Sequence, residues 1–120
     1  MDNNTVDSYK KKLTGNDSVD INILRSIGEF YYLGKDGSCQ DYKEAVYYLQ
    51  KAAAAGDAHS MFLLANCYYY GGHGIKYDDV LAFNWCEKAV KCGSKDAMKL
   101  MSKLYSDGIG TEKDTEAAKL

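Results

Sequence analysis

Tyrosine recurs at positions 31, 68 and 105, a constant interval of 37 residues, and glycine follows at 34, 71 and 108. The same interval carries Asp41 onto Asp78, Tyr48 onto Trp85, Lys51 onto Lys88, Ala52 onto Ala89 and Gly56 onto Gly93. One residue short of it, Asp78 is followed by Asp114. A period of this size restricts the chain to stacked, equivalent units, because one such unit cannot bury its apolar side alone and must lay it on its neighbour.

Each unit holds two helical patterns. In the first, apolar or small residues fall at offsets 0, 3, 4 and 7, one stripe of a 3.6-residue helix. Unit one has Leu24, Ile27, Gly28 and Tyr31; unit two has Met61, Leu64, Ala65 and Tyr68; unit three has Met98, Met101, Ser102 and Tyr105. The second helix repeats the stripe with Ala45, Tyr48, Leu49 and Ala52, then Ala82, Trp85, Cys86 and Ala89. Small residues at matched positions (Gly28, Ala65 and Ser102; Ala45, Ala82 and Ala118) let backbones approach, and aromatics fill the remaining space. The chain contains no proline, so these helices run uninterrupted.

The ends of the patterns carry matching chemistry. Asp20, Asp57 and Ser94 are placed to cap the first helices, and Asp41, Asp78 and Asp114 the second, by accepting from free backbone N–H groups. Asp41 and Glu44 have capping-box spacing. Gly34, Gly71 and Gly108 are expected in the left-handed conformation that ends each first helix, with Gly56 and Gly93 ending the second.

The pattern small-xxx-[LM]-[GAS]-xx-Tyr-xx-Gly, a short glycine-containing loop, then Asp-xxx-Ala-xx-[WY]-xx-Lys-Ala and a closing glycine resembles the Sel-one-like repeat, a relative of the tetratricopeptide repeat. Unit two, from Ser60 to Gly93, carries it most fully, and the resemblance covers residues 20–120. It implies an all-α fold, an alpha-alpha superhelix of antiparallel helix pairs with two full repeats and a partial third. It also implies an adaptor that assembles other proteins, with no catalytic residues. Expected divisions are an N-terminal segment 1–19, repeats over 20–56 and 57–93, and a partial repeat over 94–120. Val6, Tyr9 and Leu13 have helical spacing; they form either a capping helix or a frayed tail. Unit three stops at Leu120, before the aromatic of its second helix. Either the sequence is a piece of a longer solenoid, or another chain, a second copy included, completes its last repeat.

The first helices have a second stripe, rotated about 130° from the core stripe at roughly 100° per residue. By resemblance it lines the concave face. It holds Asn22, Arg25, Glu29 and Tyr32, then His59, Phe62, Asn66 and Tyr69, then Asp96, Lys99, Lys103 and Ser106. The centre is aromatic and the C-terminal flank basic, the composition of a binding surface with aromatic anchors and polar neighbours. Arg25, Glu29, Tyr32, His59, Phe62, Asn66, Tyr69, Lys99 and Lys103 are therefore the candidate contacts for a protein or peptide partner. The alternative is that Phe62 and Tyr69 merely rest half-buried against neighbouring helices.

Other chemistries are not supported. The net charge of −2 and a single basic run, Lys10 to Lys12, give no nucleic-acid footprint. No apolar stretch reaches the ~20 residues of a membrane span. The N-terminus lacks the apolar run of a secretory signal, and the four cysteines (39, 67, 86 and 92) form no CxxC pair. A cytoplasmic protein with reduced thiols is expected. His59, Cys67 and His73 match no zinc spacing, and no cofactor is expected. The loop Gly71-Gly72-His73-Gly74 lacks the lysine and hydroxyl residue of a phosphate loop, leaving His73 as a solvated turn residue.

Overall fold

The structure, a computed structural model, describes residues 3–34 and 40–108. Cys39, Asp114 and Ala118, together with the expected second helix of unit three, lie outside the described residues. The helices are α1 (Asn3–Lys11), α2 (Ile21–Leu33), α3 (Tyr42–Ala54), α4 (Ala58–Tyr70), α5 (Asp79–Lys91) and α6 (Lys95–Asp107). Each of α2 to α6 is 13 residues long. α2 pairs with α3 and α4 with α5, each pair antiparallel, and successive pairs stack through α3–α4 and α5–α6. The result is an elongated helical solenoid, 47 × 28 × 18 Å.

Of the six expected caps, five fall on described residues, and four of those form. The side chains of Asp41, Asp57, Asp78 and Ser94 accept from the backbone N–H of Glu44, Ser60, Leu81 and Ala97 at 3.0–3.1 Å. The capping box at Asp41 is only half made, because the Asp41 N–H donates to the Tyr31 carbonyl (2.8 Å) and not to Glu44. Asp78 does the same to Tyr68 (2.9 Å), so the repeat extends to the bonds joining the helices of each pair. Asp20 is the exception. Its buried carboxylate makes no cap and instead accepts from Thr14 N, Thr14 Oγ1 and Gly15 N, fastening the α1–α2 connection. Asp57 and Ser94 follow the preceding helix within a tight turn, whereas Asp20 is joined to α1 by a longer connection, and that connection holds its carboxylate.

The links between pairs are shorter than the links within them. Gly56 N donates to Ala53 O and Asp57 N to Ala52 O; 37 residues on, Gly93 N donates to Val90 O and Ser94 N to Ala89 O. Both are Schellman closures, each with a glycine at positive φ. The residue that closes one helix is thus the cap of the next. Gly34 and Gly108 adopt the left-handed conformation expected of them. Gly71 does not: its φ of 68° and ψ of −173° lie in a region essentially restricted to glycine, and a Cβ there would stand 2.8 Å from Tyr77 N and Cβ. The chain turns there directly into Gly72-His73-Gly74-Ile75. Gly72 and Ile75 exchange both backbone hydrogen bonds, and His73 and Gly74 have φ of 52° and 96°, as in a type I′ turn.

The core follows the repeat with compensating sizes. Leu24, Ile27, Leu49 and Leu64 are fully buried, with Ala45, Ala52, Ala65, Ala82 and Ala89 between them. Gly28 lies against Leu49, and a Cβ on Gly28 would come within 2.6 Å of Leu49 Cδ2. Unit two carries Ala65 and Cys86 at the same two positions, a larger residue on one helix and a smaller one on the other. Tyr31, Tyr68 and Tyr105 are half-buried in all three units. Unit three departs from the expected stripe. Ala97, Leu100 and Leu104 are its buried residues, facing unit two, whereas Met98 is 47% exposed against 7% for its counterpart Met61. The expected second helix of unit three lies outside the described residues. At the other end, Val6 of α1 is buried with Ile27 and Phe30, and Lys10 Nζ donates to the Tyr31 hydroxyl at 2.9 Å.

Gly71→Ala is expected to cost about 3 kcal/mol or more, from a forbidden backbone conformation and a clash with backbone. Gly93→Ala, which meets open space, is expected to cost only about 1 kcal/mol. Urea unfolding of the two variants checks the order. Gly28→Ala alone is expected to destabilise by about 1–3 kcal/mol through overpacking. In Gly28→Ala/Leu49→Cys, which installs the pair of unit two, the loss is expected to be smaller than the sum of the single losses; a double-mutant cycle measures the difference.

Candidate functional site

The candidate surface follows from which helices touch. α2 packs directly on α4, whereas α3 and α5 make at most glancing contact, so the second stripes of α2 and α4 come side by side. α6 reaches that stripe through Lys103, whose Nζ lies over the Tyr69 ring.

Nearest α1, ionic groups from two units interlock. Arg25 Nη1 donates to Asp57 Oδ1 at 2.8 Å and Nη2 to Asn22 Oδ1 at 2.9 Å. Glu29 Oε1 is 3.9 Å from Arg25 Nε and 3.3 Å from His59 Nε2. The sequence identified Asp57 only as a cap. Its place at the α3–α4 turn also sets it against the first turns of α2, where Arg25 reaches it. Arg25, Glu29 and His59 are therefore brought together, but largely occupied with one another.

The middle is aromatic. Tyr32 stacks on Tyr42, with centroids 5.3 Å apart and planes 8° from parallel. Burial pushes the Tyr32 hydroxyl up to about 12, an effect the Asn66 amide beside it partly offsets. Tyr32 and Asn66 thus meet across the α2–α4 seam. Phe62 is half-buried, its ring 6.4 Å from the His59 ring and packed on the edge of the main core. Tyr69 is half-buried too and meets Tyr70 edge-on at 4.8 Å. Tyr42 joins this aromatic group although the sequence reading passed over it. Its N–H donates to the His73 carbonyl at 2.7 Å, and its ring lies 4.9 Å from that imidazole. The hint was the loop histidine at a position that must take positive φ. His73 is exposed in its turn, as expected, and also ties unit two to the start of α3 in unit one.

Toward the C-terminus the surface becomes basic. Lys103 Nζ lies 5.2 Å from the Tyr69 centroid, and contact with the Tyr69 hydroxyl holds its ammonium above its usual value. Lys99 is exposed one turn earlier, with no ion pair or hydrogen bond among the described residues. The structure brings Arg25, Glu29 and His59 together, sets Asn66 beside Tyr32 and Lys103 over Tyr69, and leaves Lys99 exposed one turn before Lys103. It separates them into a self-neutralised end, an aromatic middle and a basic end.

Nucleophilic and metal chemistry find little here. Among the described residues, no group of three or more His, Cys, Asp or Glu side chains is placed to hold a metal ion. Burial pushes the Cys67 and Cys86 thiols up to about 12, and Cys86 Sγ donates to the Ala97 carbonyl at 3.2 Å. Both are packing residues. Among the described residues, no helix is long and apolar enough to cross a membrane.

Equal helix pairs, shared closing residues and an inner stripe of first helices define a tetratricopeptide-like α-solenoid. The sequence profile of the Sel1 repeat matches residues 25–57, 58–94 and 95–119, and the chain belongs to the Sel1 repeat family. It is similar to the ERAD-associated E3 ubiquitin-protein ligase component HRD3A of Arabidopsis thaliana, 32% identical over 59% of this chain. It is also similar to chitin synthase regulatory factor 4 of Schizosaccharomyces pombe, 33% identical over 78% of this chain. The matched regions span only 10% and 15% of those proteins. Among solved structures, a Sel1 repeat protein from Oxalobacter formigenes superposes with a TM-score of 0.70 at 33% identity, over 86% of this chain and 76% of that one.

Cys92 is exposed, whereas Cys67 and Cys86 are buried. A maleimide at pH 8 is expected to modify Cys92 in the native protein within minutes and to reach Cys67 and Cys86 only after unfolding in guanidinium. Peptide mass mapping before and after denaturation checks this.

Proposed function

We propose that this chain is a protein-interaction scaffold that holds a partner peptide or domain against the inner stripe of its first helices, and that it is not an enzyme. The observation that carries the reading is the pairing of Phe62 and Tyr69, half-buried on one rigid helix with polar groups on both sides. A surface whose own side chains are already ordered loses less freedom on binding, so more of its contact energy appears as affinity. The two curated relatives give the same direction: one is named as a component of a ubiquitin ligase and the other as a regulatory factor of chitin synthase. A cytoplasmic setting belongs to this reading, supported by the free thiols of Cys67 and Cys86.

A second reading is favoured by Met98 alone. Its 47% exposure, where Met61 is at 7%, suits a subunit whose last repeat is completed by another chain, a second copy included. Sedimentation across a range of concentrations separates the two: self-association that Met98→Lys abolishes supports the second reading, and a monomer at every concentration counts against self-assembly.

For the first reading, Phe62→Ala/Tyr69→Ala is expected to retain the helical circular dichroism of the parent and to lose at least about tenfold in affinity for partners isolated from the native source. A folded double variant that holds the same partners equally well removes the inner stripe from the account.

A further inference from the structure

The two ends of the inner stripe differ in whether their charges are free. At the α2 end, Arg25 is engaged by Asp57 and Asn22, and Glu29 by Arg25 and His59. A carboxylate arriving there would meet Glu29 and Asp57, and a cation would meet Arg25. At the α6 end, Lys99 and Lys103 are both exposed, and neither has a carboxylate within ion-pair distance among the described residues. Lys103 is held in place over the Tyr69 ring, so one ammonium is already oriented beside the aromatic anchor. Asp96 and Asp107 on the same helix partly balance the two lysines, and the whole chain carries −2. That balance suits a short run of carboxylates and not a polyanion, whose binding needs several uncompensated cations.

We infer that the stripe takes an acidic peptide whose large apolar side chain rests on Phe62 and Tyr69 and whose carboxylates lie toward α6, against Lys99 and Lys103. The inference rests on the protein-binding reading above and adds the chemistry and polarity of the partner. Lys103 Nζ stands 5.2 Å from the Tyr69 centroid, Lys99 lies one helical turn, roughly 5.4 Å, before it, and an extended chain advances roughly 3.4 Å per residue. Anchor and acid should therefore be separated by roughly three residues. The self-neutralised α2 end sets no charge requirement on the other side of the anchor.

Phage-displayed random dodecapeptides, selected on the intact chain, test this. The parent protein is expected to enrich Asp or Glu about three positions from Leu, Phe or Trp. Lys99→Glu/Lys103→Glu changes two exposed side chains and is expected to switch that position to Lys or Arg. Affinity for a synthetic parent-selected peptide should fall at least about tenfold in that variant and weaken with added salt. If the charge-reversed variant selects the same acidic sequences, or if the parent selects apolar sequences without acids or none at all, the inference is overturned. If Phe62→Ala/Tyr69→Ala selects the parent's sequences unchanged, the inner stripe is not the binding surface and the underlying reading fails with it. Retention of a fluorescent single-stranded oligonucleotide by the parent, tighter than any selected peptide and lost on charge reversal, would reassign the lysines to nucleic acid.

Discussion

Asp57 bears three loads at one point of the chain. Its N–H closes α3 on Ala52, its carboxylate caps α4 at Ser60, and the same carboxylate receives Arg25 from α2. Three helices from two units are thus referred to a single residue, which fixes how one pair meets the next. The remaining geometry depends on that turn. Because Ala55 and Gly56 are all that separate α3 from its successor's cap, the second pair has little freedom to rotate, and its inner stripe falls into line with the first. Ser94 closes and caps in the same way, without the ion pair. A hydroxyl suffices there because α4 carries Phe62, and no arginine, in the place of Arg25.

Much of this was legible because it repeats. Caps, closing glycines and the core stripe are local features, and an interval of 37 residues marks them wherever the backbone geometry recurs. What escaped sequence reading was set by neighbours. Asp20 has the spacing of a cap but follows a longer connection than Asp57 or Ser94, and its carboxylate turns to Thr14 and Gly15. Gly71 occupies the position of Gly34 and Gly108 but must pass under Tyr77, so the same residue type serves a different backbone conformation. Met98 matches Met61 in sequence, yet burial needs a second surface, and periodicity does not reveal whether one is present. The stripe of candidate contacts came from helix periodicity together with a family resemblance, while the engagement of Arg25 and Glu29 required knowing which unit faces which.

The core shows how a repeat tolerates divergence. Gly28 with Leu49 and Ala65 with Cys86 divide a similar space in different proportions. Conserved volume matters at such a site more than conserved identity, because overpacking and cavities both cost stability. Outer positions are free of this constraint. Neighbouring units can therefore keep one shape while presenting ion pairs in one place, aromatics in the next and lysines in the third.

The turn at His73 and Gly74 has a mechanical consequence. It belongs to unit two but holds the first N–H of α3 in unit one, so parting the two pairs at this point breaks a backbone hydrogen bond. Slow hydrogen exchange should therefore extend across both pairs as one block, with the amide of Tyr42 as protected as those of α4. That bond couples the opening of the second pair's loop to the first turn of α3.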